Sequence, residues 1–296
     1  MSAWCLVARK LPMDPTLEVI LRISAAAAVF AAMAAWEIFA PRRDLTVGRK
    51  PRWPSNIGIL IVDAVAVRLI IPTAAVGVAL LAAERGWGLF NLLGLPGWFS
   101  GVLGFVVLDL IIYAQHIMFH YVPVLWRLHR MHHADLDIDV TTGVRFHPIE
   151  ILLSMLIKIA AVLALGIPAV AVVLFEVVLN ATSMFNHSNV AMPPRLDRVI
   201  RWLVVTPDMH RVHHSIERRE TDSNFGFNLP WWDRLFGTYR PQPEAGHDRM
   251  TIGIPFFRDP GELRLDRLLT QPFRNDRARV HDDAAARPPV AGAADT

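Results

Sequence analysis

The sequence contains one cysteine, Cys5, in 296 residues. A single thiol cannot form an intramolecular disulfide, and it cannot supply the thiolate ligands of structural zinc or iron–sulfur sites. Any metal ion bound by this chain must therefore be held by histidine, carboxylate or water.

Charged residues are also scarce, at 19% of the chain, and the formal net charge is only +3. A nucleic-acid-binding domain usually carries a strongly basic face. Here the arginines flank apolar segments instead, as basic residues do on the cytoplasmic side of membrane proteins. We therefore expect no nucleic-acid partner.

Apolar residues, in contrast, make up 53% of the chain, and they fall into long runs. A helix needs about 20 residues to cross the hydrocarbon core of a bilayer. The runs cover residues 17–40, 57–83, 98–119 and 151–186. The sequence thus predicts an all-α fold, a multi-pass membrane helical bundle.

Interruptions and charges within this pattern predict its topology. Pro72 predicts a kink in the second run, and Gly166-Ile167-Pro168 predicts that the last run is a hairpin of two helices. The basic loop 41–54 is expected in the cytoplasm. All histidine motifs then lie on that side, in a cytoplasmic histidine-rich helical cap. The Ala- and Arg-rich composition favours a bacterial inner membrane, with the endoplasmic reticulum as the alternative location.

Three regions follow from these patterns. Residues 1–97 are predicted to be N-terminal membrane-anchor helices, residues 98–240 a domain of their own that holds most of the histidines, and residues 241–296 a C-terminal extension. From about Gln271 onward Arg, Asp, Ala and Pro dominate without any period, which predicts a disordered tail.

Histidine is concentrated in three short motifs, HIMFH (116–120), HRMHH (129–133) and HRVHH (210–214). Residues three and four apart share a face of a helix, so each motif is predicted to aim its rings at one point. Two such motifs facing each other offer enough nitrogen donors for two metal ions. The eight candidate ligands are His116, His120, His129, His132, His133, His210, His213 and His214.

Two apolar helices carry a polar stripe at i, i+4, i+7 and i+11, and each stripe ends on a histidine. The stripes are Asp109, Tyr113, His116 and His120, and Glu176, Asn180, Ser183 and His187. Ionisable groups at membrane depth seldom face lipid, so both stripes should face the bundle. Asp109 and Glu176, with Asn180 beside Glu176, are candidates to orient a ligating imidazole through its second N–H. The alternative is that they only pair with a neighbouring helix.

These motifs resemble the fatty acid hydroxylase superfamily, which includes the sterol desaturases. The resemblance covers about residues 100–240. It rests on the three histidine motifs and on RFHPIE (145–150), NHSN (186–189) and NFG…WWDRLFGTYR (224–240). It implies a non-haem di-iron oxidoreductase that hydroxylates, or desaturates, a lipid such as a fatty acyl chain or sterol. Dioxygen is the implied oxidant, and zinc is the implied substitute metal.

By position, the resemblance implies that the eight motif histidines bind metal, with His187 and His147 as further ligands. No cytochrome-like haem module is visible in the sequence. We therefore expect a separate electron-transfer protein of the ferredoxin or cytochrome b5 type, in addition to membrane lipids.

Two other functions stay open at this point. One is a metal-dependent lipid hydrolase, which uses metal-bound hydroxide; the other is a non-enzymatic metal transporter or storage protein. A transporter holds its ligands near the bilayer midplane, whereas these motifs lie at one face. His247 and His281 are expected not to bind metal. Trp231-Trp232 and Tyr239 are expected to be interfacial anchors or packing residues.

Overall fold

The structure, a computed structural model, describes residues 15–275. Within this range the chain is helical and forms no strand; two isolated bridges pair Pro41 with Val190 and Ser215 with Ile252. The predicted all-α fold is confirmed.

Five segments of the described chain are long and apolar enough to cross a membrane, which confirms the multi-pass bundle. Their helices are α1 (Pro15–Phe39), α2 (Trp53–Ile70) with α3 (Ala74–Arg85) and the short α4 (Leu89–Leu92), α5 (Gly97–Tyr121), α7 (Pro148–Leu165) and α8 (Ala169–His187).

Both predicted interruptions occur. Pro72 lies between the end of α2 and the start of α3, so the helix is broken there rather than only kinked. Gly166 ends α7 with φ +71°, a conformation that residues with a Cβ rarely adopt. A Cβ at this position would also lie 2.7 Å from the Trp87 carbonyl oxygen. The hairpin between α7 and α8 therefore depends on this glycine.

The remaining helices form a cap at the end of the bundle where α5 and α8 finish. They are α6 (Pro123–His133), α9 (Pro194–Ile200), α10 (Pro207–His213), α11 (Arg218–Thr221), α12 (Trp231–Leu235) and α13 (Leu265–Thr270), with 3-10 turns at Thr142–Val144, Pro260–Leu263 and Gln271–Phe273. Helix α8 lies at the centre of the fold because it packs against α1, α3, α5 and α10. Its C-terminal end therefore meets both the bundle and the cap.

A buried ionic network holds the start of α2 against the chain that leaves α6. The Arg52 guanidinium donates to both oxygens of Asp135, at 2.6 and 2.8 Å, and to Asp139 at 2.5 Å. Burial alone would raise the pKa of Asp135, but Arg52 and Arg145 hold it below its ordinary value. Removing one partner of such a network would leave a buried charge unpaired, which is strongly destabilising.

The C-terminal segment is ordered further than the sequence indicated. Gln271 begins a 3-10 turn packed against α6, where Arg130 donates to the Gln271 carbonyl and Arg127 donates to the Pro272 carbonyl, both at 2.7 Å. The ordered chain therefore extends slightly past the predicted start of the tail near Gln271, because these cap arginines bind the backbone of the segment. Residues 276–296, including His281, lie outside the described residues.

Candidate metal centre

The first two histidine motifs meet because α6 folds back along α5. Helix α5 ends at Tyr121, and α6 begins at Pro123. Proline suits this first helical position, where its missing N–H would have no intrahelical partner. The two helices pack against each other, and the His116 and His129 rings lie 4.9 Å apart.

The third motif is placed by a short capped helix. The Thr206 hydroxyl accepts the Met209 N–H at 3.4 Å, and Pro207 occupies the first turn of α10. Helix α10 packs against α8, which brings the His210 ring to 4.3 Å from that of His187. His187, the last residue of α8, thereby joins the motif histidines.

Nine buried histidines form two clusters, and within each cluster the potential ligand atoms lie within 4.8 Å of one another. The first histidine cluster consists of His116, His120, His129, His133 and His213. The second histidine cluster consists of His132, His187, His210 and His214. The structure thus brings together the eight motif histidines and His187.

The second and third motifs each divide their rings between the two clusters. His129 and His133 face the first cluster while His132 faces the second; His210 and His214 face the second cluster, away from His213. Residues i and i+4 differ by about 40° around a helix, but i+3 and i+4 differ by about 100°. The prediction that each motif aims at one point is therefore right for HIMFH alone.

The two clusters adjoin. The His133 and His214 rings stack with centroids 4.5 Å apart, and those of His210 and His213 lie 5.1 Å apart. Ions held by the two clusters would thus be close neighbours in one buried volume.

Backbone carbonyls orient four of the rings by accepting a hydrogen bond from Nδ1–H. These pairs are His116 to Phe225 at 2.8 Å, His132 to Arg145 at 3.0 Å, His187 to Ser183 at 2.7 Å and His213 to Ser223 at 2.7 Å. Such a bond assigns the proton to Nδ1 and leaves the Nε2 lone pair for a metal ion.

Two carboxylates do the same for the first histidine cluster. The Glu150 Oε1 atom accepts from His129 Nδ1 at 2.7 Å, and Asp222 Oδ1 lies 3.4 Å from His120 Nδ1. Sequence reasoning missed both residues. Glu150 stands in the RFHPIE motif, but its distance of 21 residues from His129 hides the contact.

The carboxylates that the sequence suggested for this task contact other groups. Asp109 accepts the Trp232 indole N–H at 2.8 Å. Glu176 binds Lys158 at 2.8 Å and Arg22 at 2.6 Å. The Asn180 side-chain amide donates to the Glu176 backbone carbonyl at 2.9 Å. Asp109 and Glu176 therefore match the alternative that the sequence left open, because they pair with neighbouring segments. Asn180 bonds only the backbone of its own helix, and none of the three contacts a clustered imidazole.

His147 lies outside both clusters. Its Nδ1 atom accepts the Ile149 N–H at 3.2 Å and thereby caps α7, while its Nε2–H donates to the Leu269 carbonyl at 3.3 Å. Both ring nitrogens are thus engaged. The structure gives His147 a role in holding α13 against the start of α7. His247 also lies outside the clusters, 3.6 Å from Asp208.

The donor atoms of the clusters fit metal ions. His213 Nε2 and both ring nitrogens of His214 are buried without a hydrogen-bond partner among the described residues. The Nε2 atoms of His116 and His129 lie 3.1 Å apart, and those of His187 and His210 lie 3.0 Å apart. Two nitrogens about 2.1 Å from a shared ion and at right angles have this spacing of about 3 Å.

Electrostatics favours the ligating form of these rings. Burial lowers the pKa of His213 to about 3 and lowers the pKa of His214 well below its ordinary value. Both of these imidazoles are therefore neutral at pH 7, and neutral imidazole is the form that binds metal.

The NFG…WWDRLFGTYR segment builds the loop that orients the first cluster. Asp233 accepts the N–H groups of Phe225 and Gly226, each at 2.8 Å, and the Thr238 hydroxyl at 2.7 Å. Burial raises the pKa of Asp233 to about 6. Because the Phe225 carbonyl binds His116, this carboxylate acts on the cluster through the loop.

Aromatic side chains enclose the two clusters. Phe146 stacks on the His132 ring at 4.5 Å, and Trp126 lies 5.0 Å from the His120 ring. Phe225 contacts the first cluster and Phe227 lies 6.2 Å from the His210 ring. The site is thus apolar around its nitrogen donors, which suits a substrate with an alkyl chain.

Comparison with known proteins agrees with this geometry. Residues 101–238 match the family model described as "Fatty acid hydroxylase", so the resemblance seen in the motifs is confirmed. All nine clustered histidines lie within the matched range. No solved structure matches the chain.

Three curated relatives each match between 50% and 59% of the chain. Ornithine lipid hydroxylase OlsE of Rhizobium tropici is 33% identical over 50% of this chain and 44% of its own length. Alkylglycerol monooxygenase of Homo sapiens is 30% identical over 57% and 36%. Very-long-chain aldehyde decarbonylase GL1-1 of Oryza sativa subsp. indica is 26% identical over 59% and 30%. The chain matches less than half the length of each.

Proposed function

We propose that this chain, which belongs over residues 101–238 to the fatty acid hydroxylase family, is a membrane oxidoreductase that hydroxylates a lipid. The observation that carries the proposal is the pair of adjoining, buried, all-histidine clusters at one end of a membrane bundle. The proposal includes two iron ions, dioxygen and electrons from a separate protein of the ferredoxin or cytochrome b5 type.

The relatives support the reaction class. Two of the three named relatives are a lipid hydroxylase and a monooxygenase. The third is an aldehyde decarbonylase, so the family resemblance by itself does not select the reaction. We favour hydroxylation of an alkyl or sterol carbon over desaturation. Of these three relatives, the two with the higher sequence identity are named as a hydroxylase and a monooxygenase.

Each part of the site has a task in this proposal. The first histidine cluster would hold one ion with five imidazoles, and the second would hold the other with four. Imidazole suits iron, and bound iron would supply the redox chemistry with dioxygen that an unactivated C–H bond requires. Glu150 and the backbone carbonyls fix the rings in their ligating tautomer.

The surroundings of the clusters serve the substrate. Phe146, Phe225 and Phe227 line the clusters with apolar surface, which would keep water away from the ions and would suit an alkyl chain. The lipid would keep its apolar part among the membrane helices and present the reacting carbon at the cap. We place the cap on the cytoplasmic side of the membrane because the loop 41–54 at that end is basic. The membrane we propose is a bacterial inner membrane.

Metal analysis combined with an oxygen-uptake assay tests the proposal. Chain purified in nanodiscs should contain about two iron ions and consume dioxygen only when reductant and lipid are present. Mass spectrometry of host lipids should show a species heavier by one oxygen when the chain is expressed. Zinc-loaded protein that cleaves lipid esters without dioxygen would instead indicate a hydrolase. Metal flux into proteoliposomes would indicate a transporter.

A further inference from the structure

The cap carries an apolar surface on its outside, formed by residues that belong to none of the five membrane-spanning segments. We name it the α9–α12 surface. Its large side chains are between 44% and 69% exposed. They are Leu196 and Val199 of α9, Trp202 and Leu203 just after it, Trp231 and Leu235 of α12, and Phe236 at the end of α12. Single exposed apolar residues are common, but a group of them on two neighbouring segments indicates an interaction site.

The two parts of this surface are joined rigidly. The Trp231 indole N–H donates to the Trp202 carbonyl at 2.7 Å. The Arg234 guanidinium lies over the Trp202 ring at 3.9 Å and over the Tyr239 ring at 4.0 Å. A preformed aromatic and basic surface is therefore presented, and no rearrangement is needed to expose it.

Helix α9 has the composition of an interfacial helix. Its inner side is polar, because Asp197 is buried and forms an ion pair with Arg201. Its outer side alternates basic and apolar residues, with Arg195 and Arg198 exposed beside Leu196 and Val199. Basic residues beside exposed tryptophan and aliphatic side chains are typical of helices that lie in the headgroup region of a bilayer.

The position of α12 shows which environment covers this surface. The Trp232 indole binds Asp109 at 2.8 Å, and the Phe236 ring stacks on the Tyr113 ring at 5.6 Å. Both partners belong to the membrane-spanning helix α5. Asp109 precedes His116 by seven residues, which is about 10 Å along the helix toward the membrane interior. The α9–α12 surface is therefore continuous with the wall of a spanning helix.

We propose that the α9–α12 surface is a membrane-interface platform on which the cap rests in the lipid leaflet. The apolar side chains would lie at the boundary between headgroups and acyl chains, and Arg195 and Arg198 would contact anionic headgroups. The platform is tied to the loop that orients the first histidine cluster, because Asp233 of α12 accepts the backbone N–H of Phe225, whose carbonyl binds His116. Its contact with lipid would thus set the height of the histidine clusters above the membrane.

Spin-label accessibility in nanodiscs tests this placement. The single native cysteine allows labels to be placed one at a time in a Cys5→Ser background, at Val199→Cys, Leu203→Cys and Leu235→Cys. Leu174→Cys on α8, exposed on a membrane-spanning helix, is the lipid reference. Arg219→Cys on the exposed part of the cap is the aqueous reference. Collision rates with apolar dioxygen and with a water-soluble nickel chelate are compared.

The platform labels should resemble Leu174→Cys, with dioxygen collisions exceeding those with nickel, while Arg219→Cys shows the reverse. Adding phosphatidylglycerol to phosphatidylcholine nanodiscs should deepen the label at Val199→Cys, and Arg198→Gln should reduce that shift. A nickel-accessible pattern at all three positions would overturn the proposal. So would shielding from both reagents with dipolar coupling between labels, which identifies a second copy of the chain as the occupant.

A measurement on the unmodified chain tests the placement without any substitution that could disturb folding. A membrane-dissolved diazirine lipid probe should label peptides containing residues 195–203 and 231–236. Labelling confined to the five spanning segments would contradict the platform.

Discussion

Glu150→Gln isolates the contribution of one carboxylate to one metal site. The Glu150 side chain is 6% exposed and accepts a 2.7 Å hydrogen bond from His129. Replacing a group that orients a ligating histidine typically weakens metal affinity by about 10- to 100-fold, or about 1.4 to 2.7 kcal/mol. Glutamine keeps an acceptor oxygen but loses the charge, so we expect about 10-fold for Glu150→Gln. Alanine leaves the buried N–H unpaired, so we expect about 100-fold for Glu150→Ala.

The loss should affect one of two ions, because Glu150 contacts only the first histidine cluster. Iron retained per chain is measured by mass spectrometry against increasing chelator. Compared with wild type, each variant should lose one ion at a lower chelator concentration and release the other at the same concentration. Glu244→Gln, at a 72% exposed side chain, is the matched control and should follow wild type. Variants that retain both ions as tightly as wild type would refute the orienting role.

Replacing His132 or His213 with alanine should abolish turnover and lower bound iron, while His247→Ala should leave the iron content unchanged; elemental analysis of the three purified variants checks this, and equal iron in all three would misplace the site. His147→Ala should retain two ions but lower the free energy of unfolding by about 1 kcal/mol, because a helix cap is lost; thermal unfolding with parallel metal analysis separates this from a ligand role, which predicts iron loss. In metal-stripped protein, burial lowers the pKa of His213 to about 3, whereas the unfolded chain titrates near its ordinary value of 6.5. The unfolded state therefore binds more protons between these values, and stability should fall as pH drops from about 6.5 toward 3; a midpoint of thermal unfolding that stays constant over this range would contradict the burial.

The membrane bundle was predictable from the sequence because its signals are local. An apolar run of sufficient length, broken at Pro72 and at Gly166-Ile167-Pro168, defines helices and their ends without reference to the rest of the fold. The start of the tail was predicted slightly too early for the opposite reason. Gln271 and Pro272 are ordered by arginines about 140 residues earlier in the chain, and composition carries no record of that contact.

The sequence predicted which histidines form the candidate site better than it predicted how their rings are arranged. Histidine spacing identified the eight motif residues, and resemblance added His187. Which ring faces which cluster depends on how α6 and α10 are rotated in the fold, as His132 and His213 show. The orienting carboxylate was also misjudged, since Asp109 shares a helix face with His116 whereas Glu150 reaches His129 from another helix. Sequence periodicity reports neighbours on one helix only.

The shared use of α6 and α10 by both clusters limits how the two metal positions can vary. A one-residue insertion within α10 would turn the following residues by about 100° and would displace ligands of both ions together. Changes confined to one ion are available at residues that serve a single cluster from outside these helices, such as His116, His120 and Glu150 for one and His187 for the other. Any change, natural or engineered, that moves α6 or α10 to alter the ligands of one ion must therefore alter the ligands of the other ion as well.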